Sequence, residues 1–373
     1  MPHRESLTVG PISPAEHLAF VQAQPSVSFL QTPAWGQVKT EWRSESLGWY
    51  DGRQLFGAAL VLYRPVPHMG RYTLAYLPGG PAIDWTGEIS AWLDPLAAYL
   101  KAKGAFAIRL APPVRTDTWS AAQVKAGIAD PDSRRLTDLA SQHCDPVGQR
   151  VTDQLRAAGW LPQSPDDGFG VGQPQFTYEL PLAGRTEADL LAGMNQLWRR
   201  NIKKAAKEGV EVEAGDDLKA FHDLYVHTAE RDHFTPRPLH YFEDMFAAMS
   251  AEDPCRIKLY LARHQGDLVA GAVLVRVGGH AWYTYGASCT EKREVRGSNA
   301  CQWSMIRDCL AAGCSVYDLR GITSTLDAAD SHRGLIQFKV GTGGQAVRYV
   351  GEWDLPLRPL IYRAFDLYMR RRK

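Results

Sequence analysis

Arg263-His264-Gln265-Gly266-Asp267-Leu268-Val269-Ala270-Gly271-Ala272-Val273-Leu274-Val275 decides the fold, because it repeats a pattern present near the start of the chain. There, Tyr50-Asp51-Gly52-Arg53-Gln54-Leu55-Phe56-Gly57-Ala58-Ala59-Leu60-Val61-Leu62-Tyr63 carries an Asp-Gly turn between two β-prone arms, the signal of a hairpin. The later stretch has the turn glycine and, at the same spacing, a Gly-Ala pair entering an apolar strand. One hairpin written twice predicts one domain duplicated within the chain.

Further pieces recur in the same order. The helix-like run from Leu96 to Lys103, closed by Gly104, precedes the apolar strand Ala105-Phe106-Ala107-Ile108-Arg109-Leu110. Trp303 to Ala312, closed by Gly313, likewise precedes Ser315-Val316-Tyr317-Asp318-Leu319. Each half therefore reads as helix, hairpin, further strand, helix and strand, a mixed α/β plan around one sheet. A length of 373 residues suits two such domains, since domains cluster at roughly 100 to 200 residues. Pro113 to Gln173, rich in Asp, Ser, Gly and Pro, reads as surface between the halves.

With 45% hydrophobic and 22% charged residues, the composition is that of an ordinary globular protein. A net charge of +1 excludes a uniformly basic nucleic-acid coat but leaves room for local stripes. Met1 to Ser6 lacks an apolar signal-peptide core, and no apolar run nears the roughly 20 residues of a membrane span, so a cytoplasmic location is expected. Six cysteines, without a CxxC pair or His/Cys cluster, indicate neither a metal site nor a disulfide framework, and most are expected to be buried.

Three local patterns carry chemistry. Thr32 and Pro33 open a helix on which Trp35, Val38 and Trp42 share one face, with Lys39 at its border. From Glu187 to Lys207 a single helical run places Leu190, Met194, Leu197, Trp198 and Ile202 on one side. Arg199, Lys203 and Lys207, with Arg200 and Lys204 alongside, make a basic stripe on another, suited either to solvent or to a phosphate backbone. Finally, Gly334-Leu335-Ile336-Gln337-Phe338-Lys339-Val340-Gly341-Thr342-Gly343-Gly344 sets one lysine in an apolar run beside glycines. Lys339 there is expected at a strand end, with its head in water or facing an anionic ligand.

Taken together, Phe29 to Trp35, Tyr76 to Pro81, Arg199 to Ala205, Arg231 to Tyr241, Tyr283 to Ser288, Tyr317 to Ile322 and Phe338-Lys339 resemble, in their order, the FemABX family of non-ribosomal peptidyltransferases. The resemblance implies two tandem acyltransferase-like (GNAT) domains, at 1–173 and 174–344, with 345–373 packing back on the first and no long coiled-coil insertion. It also implies the reaction. An amino acid (glycine, alanine or serine) moves from aminoacyl-tRNA to the side-chain amine of the third stem residue of a peptidoglycan precursor, either UDP-MurNAc-pentapeptide or lipid II. No cofactor or metal is implied, and peripheral contact with the inner face of the membrane is compatible with such an acceptor.

Carried over by residue, Lys39 and Arg237 match positions that hold the nucleotide-sugar diphosphate, with Tyr241 beside them. A guanidinium fork suits a phosphate. Tyr283 and Tyr285, alternating on a strand, are expected on one face, one of them lining the substrate channel. Phe338 and Lys339 match the family pair near the acyl transfer, where a fixed cation can stabilise the developing oxyanion; contact with the tRNA terminus is the alternative. The basic stripe is the expected tRNA contact, with Arg293, Arg296 and Arg370 to Lys373 as substitutes. Two features depart from the family. Ala111 stands where an acidic residue is often found, leaving the general base to another group such as Asp84. The coenzyme A fingerprint around Arg293 to Ala300 is incomplete, so a coenzyme-A-dependent N-acyltransferase is the second reading and a non-catalytic RNA- or glycan-binding relative the third.

Overall fold

A computed structural model describes residues 7–66, 72–163, 172–327, 329–330 and 332–370. The chain divides into two compact units. The first comprises residues 1–117, 143–175 and 348–373, and the second 118–142 and 176–347.

In the first unit a seven-stranded sheet runs in the order Thr8–Pro11, Arg43–Asp51, Gln54–Pro65, Thr73–Leu77, Ala105–Leu110, Trp353–Pro356 and Leu161–Pro162. The expected hairpin is present: Asp51 pairs with Gln54, and Gly52 takes the left-handed conformation (φ 59°) that a two-residue turn requires. Thr73–Leu77 and Ala105–Leu110 are parallel, joined by the helix Ser90–Ala102. That helix buries Trp92, Leu93, Leu96 and Leu100. Two of the family-like segments meet here around Gln31, which is fully buried. Its side chain donates to the carbonyls of Leu60 (3.2 Å) and Pro78 (3.0 Å) and accepts from the Leu60 amide (3.0 Å). A side chain on Gly80 would collide with it, which explains the glycine.

The second unit repeats the plan. Its strands lie in the order Glu211–Gly215, Ile257–His264, Asp267–Val277, His280–Ser288, Val316–Gly321 and Phe176–Pro181. The Gln265-Gly266 turn (φ 53° and 86°) closes the second hairpin. Helix Gly297–Ala311 carries the chain between the parallel strands His280–Ser288 and Val316–Gly321. The mixed α/β plan read from the duplicated hairpin is therefore the observed fold class.

Several local expectations fail for physical reasons. Pro113 to Gln173 is not mere surface. It contains the strand Arg115–Ser120 and the helices Ala121–Ala129 and Pro146–Ala157. Trp119, Val124 and Leu136 enter the core of the second unit, and Val151, Leu155 and Trp160 that of the first. The expected first domain, 1–173, thus contains residues 118–142 that pack with the second unit. The run Glu187 to Lys207 is two helices, Glu187–Gly193 and Gln196–Lys207. Asn195 caps the second by accepting from the Trp198 amide at 2.8 Å, while its own amide donates to the Gly341 carbonyl, a pairing that an unbroken helix would forbid. Leu197 consequently leaves the apolar side and is 58% exposed. Of the cysteines, Cys301, Cys309 and Cys314 are buried, whereas Cys144 and Cys255 are exposed.

Candidate active site

In the second unit, Lys339 lies on a helix, Arg333–Val340, and not on a strand end. Nor does it snorkel, being only 4% exposed. Its Nζ donates to the Gly321 carbonyl at 2.6 Å and to the Arg320 carbonyl at 3.3 Å. Those carbonyls become available because the strand Val316–Gly321 loses its register after Asp318. Arg320 adopts a left-handed conformation (φ 64°), and its amide turns back to donate to Asp318 Oδ1 at 2.6 Å. Burial strips water from the ammonium and pulls the Lys339 pKa down to about 7; Asp318 opposes this and Arg320 adds to it. Burial raises the Asp318 carboxyl, but His280 (Nε2 to Oδ2 3.6 Å) and Arg320 outweigh it and leave the group below its ordinary value. Lys339 is thus a dry amine that exchanges protons near neutrality.

The neighbouring Phe338 ties this lysine to the basic helix. Its ring centroid is 4.8 Å from that of Trp198, whose Nε1 donates to the Phe338 carbonyl at 2.8 Å. A side chain on Gly341 would strike Trp198, so the close approach needs glycine. Along the helix Gln196–Lys207, Arg200, Lys203 and Lys207 are exposed and Lys204 half-buried. Arg199 is different: its guanidinium donates to the carbonyls of Met194 and Ala192, sealing the end of the preceding helix.

Arg237, Tyr241 and Tyr285 also come together in the second unit. The Arg237 guanidinium carbon lies 5.2 Å from the Tyr241 ring centroid, and the Tyr241 and Tyr285 hydroxyls are 3.0 Å apart. His222 Nε2 meets the Arg237 carbonyl at 3.1 Å, fixing the proline-bracketed loop. Tyr225 and Phe242 support Tyr285 edge-on. Tyr283 does not join them. A bulge pairs Val273 with Tyr285 and Leu274 with Tyr283, making Thr284 the extra residue and sending the two tyrosines to opposite faces. Tyr283 packs against the core beside Cys301 and Gln302, and burial pushes its hydroxyl up to about 12.

Lys39 belongs to the first unit. The helix ends at Val38, so Lys39 is its C-cap and Trp42 lies beyond it, not on its apolar face. Lys39 Nζ is 3.3 Å from Glu41 Oε1 and 5.6 and 6.0 Å from the ring centroids of Trp35 and Trp42. Trp42 packs edge-on to Tyr76 at 6.3 Å. Beyond Tyr76 is a buried polar row that the sequence reading missed. Strand register sets Tyr76, Arg109 and Asp354 side by side. Arg109 grips Asp354 with two bonds of 2.7 Å, and Tyr362 donates to Asp354 at 2.9 Å. Two residues before Asp354, just ahead of the strand, Glu352 accepts from the Tyr76 hydroxyl at 2.6 Å and from the Gln173 backbone amide at 3.1 Å. Burial raises the Glu352 carboxyl, against the pull of Tyr76 and Arg109. The available signal was Glu352-Trp353-Asp354-Leu355, in which two acids alternate with apolar residues. Asp84, by contrast, is exposed and caps Thr86 locally.

A family model described as the FemAB family matches residues 12–265 and 258–370. Lipid II:glycine glycyltransferase of Staphylococcus aureus (strain MRSA252) is 23% identical over 432 residues, covering 95% of this chain and 94% of that protein. Among solved structures, FemX has a TM-score of 0.80 at 23% identity, covering 95% of this chain and 99% of FemX. A tandem GNAT protein from the clavulanic acid biosynthesis pathway has a TM-score of 0.52 at 12% identity, covering 94% and 98%. These likenesses identify the repeated α/β plan as a tandem GNAT fold.

Proposed function

This chain belongs to the FemAB family, and we propose that it is an aminoacyltransferase of peptidoglycan cross-bridge synthesis. Its donor is aminoacyl-tRNA, and its acceptor is the side-chain amine of the third stem residue of a muramyl-peptide precursor. The observation that carries the reading is Lys339, a buried amine seated beside a basic helix. The acceptor nitrogen attacks the ester carbonyl carbon, an amide bond forms, the ester bond to the tRNA ribose breaks, and the proton lost by the amine ends on the ribose hydroxyl. Lys339 in its protonated form stabilises the oxyanion of the tetrahedral intermediate, where one well-placed donor lowers the barrier by about 3 kcal/mol.

Arg237, beside Tyr241, binds the acceptor diphosphate, and the exposed cations of the helix Gln196–Lys207 bind the tRNA backbone. Glu352 supplies the carboxylate that Ala111 cannot: each lies one residue beyond the paired Trp353 and Leu110 on adjacent strands. Raised by burial, Glu352 is a carboxylate suited to accept a proton.

The test is an assay of purified protein with charged tRNAs and with acceptors differing in the third stem residue, read by mass spectrometry. A product heavier by one aminoacyl residue supports the proposal. Turnover with acetyl-CoA but with no charged tRNA would replace it with the coenzyme A reading.

A further inference from the structure

We propose that the helix Pro359–Arg370 is a docking face for an anionic lipid bilayer. One side of this helix is accounted for: Phe365 is buried, and Ile361, Tyr362 and Met369 pack with it against Val66, Leu74 and Phe106. The other side of a surface helix is ordinarily polar. Here Leu360 is 81% exposed, Leu367 52% and Tyr368 38%, the first being the most exposed large apolar side chain among the described residues. Arg363 and Ala364, also exposed, lie between them, and the spacing 360, 363, 364, 367, 368 makes one stripe.

Charge selects the occupant. The helix carries Arg363 and Arg370 against one acid, Asp366, and the sequence continues through Arg371, Arg372 and Lys373, which lie outside the described residues. Leucines interleaved with arginine, a tyrosine at the rim and an adjoining basic cluster match a helix that lies in a lipid interface, where apolar burial and attraction to anionic headgroups act together. No helix among the described residues is long and apolar enough to cross a membrane, so this helix lies on the surface. The surface stands on the helix alone; its use in catalysis rests on the acceptor reading above, a lipid-linked precursor being reachable only at the bilayer.

The test is flotation of the purified full chain with vesicles of phosphatidylcholine, alone or mixed with phosphatidylglycerol. The chain is expected to float with the mixed vesicles, less so as salt rises, and Leu360→Glu/Leu367→Glu to lower partition by about tenfold or more. Arg363→Gln should weaken binding to mixed vesicles and leave the weak binding to pure phosphatidylcholine unchanged. Both positions are exposed, and an unshifted thermal melt of the variants verifies folding. Absence of wild-type flotation with mixed vesicles, or equal flotation of the double variant, overturns the proposal. So does self-association that the double variant abolishes without any vesicle binding, which would assign the stripe to a second copy of this chain. In the assay above, the double variant should keep its turnover on the water-soluble nucleotide acceptor and lose about tenfold on a lipid-linked acceptor in vesicles. If neither acceptor is used, the functional reading fails while flotation still decides this one.

Discussion

Lys339 titrates near 7 because its ammonium form has lost its water and Asp318 returns only part of that loss. Two outcomes follow at the scale of this side chain. If the cation stabilises the oxyanion, kcat/KM should have a limb that falls as pH rises through about 7, and Lys339→Met should remove that limb and lower turnover about a hundredfold with little change in acceptor affinity. Retained turnover and an unaltered profile in the variant would return Lys339 to a purely structural role. Stability has the opposite sign. The folded pKa lies below the ordinary 10.5, so the unfolded chain binds more protons between those values and stability rises with pH across that window. Urea titrations at the bottom and middle of the window should show wild type gaining roughly 2 kcal/mol relative to Lys339→Met. Glu352→Gln keeps a hydrogen-bond acceptor for the Tyr76 hydroxyl, so it should melt near wild type while turnover falls at least about tenfold. Unchanged turnover would make Glu352 a buried structural carboxylate.

Among the elements, the basic helix offers a test that separates charge from fold. Lys203 and Lys207 are exposed, and glutamine keeps nearly the same helix propensity, so Lys203→Gln/Lys207→Gln removes charge alone. Binding of charged tRNA should weaken, with the dependence of log affinity on log salt flattened by roughly 0.7 to 0.9 per lost phosphate contact. An unchanged slope with activity intact would make the helix a solvated face. Arg199 is a poor probe of this contact, because its loss would also unseal the carbonyls of Ala192 and Met194. The cap at Asn195 is a stability element: Asn195→Ala should cost about 1 kcal/mol, measured by denaturant unfolding.

At the scale of the whole molecule, the acceptor contact proposed in the second unit can be tested by binding alone. Arg237→Ala should weaken binding of a muramyl-peptide nucleotide about tenfold in calorimetric titration without shifting the melt. Unchanged affinity would remove the diphosphate assignment. The same titration with acetyl-CoA and with uncharged RNA addresses the other readings. Binding of acetyl-CoA alone favours the coenzyme A enzyme, and binding of RNA alone a non-catalytic relative.

The duplicated hairpin was legible because it rests on local chemistry: a glycine at positive φ in each turn and β-prone residues at fixed distance from it. The helix after it, its closing glycine and the next strand were legible for the same reason, whereas the grouping of Arg237 with Tyr241 came from the family resemblance alone. Features that depend on distant partners were not. An apolar run of the length around Lys339 suits strand or helix alike, and only the carbonyls freed at Arg320 and Gly321 reveal that its amine is buried. Tyr283 and Tyr285 alternate in sequence, yet a single extra residue in the ladder separates them, and a bulge leaves no local mark in the chain. Glu352 acquires its environment from Tyr76, 276 positions away, and from Gln173. Periodicity and turn chemistry are properties of neighbours in sequence; burial and pKa are set by neighbours in space, which the chain acquires only on folding.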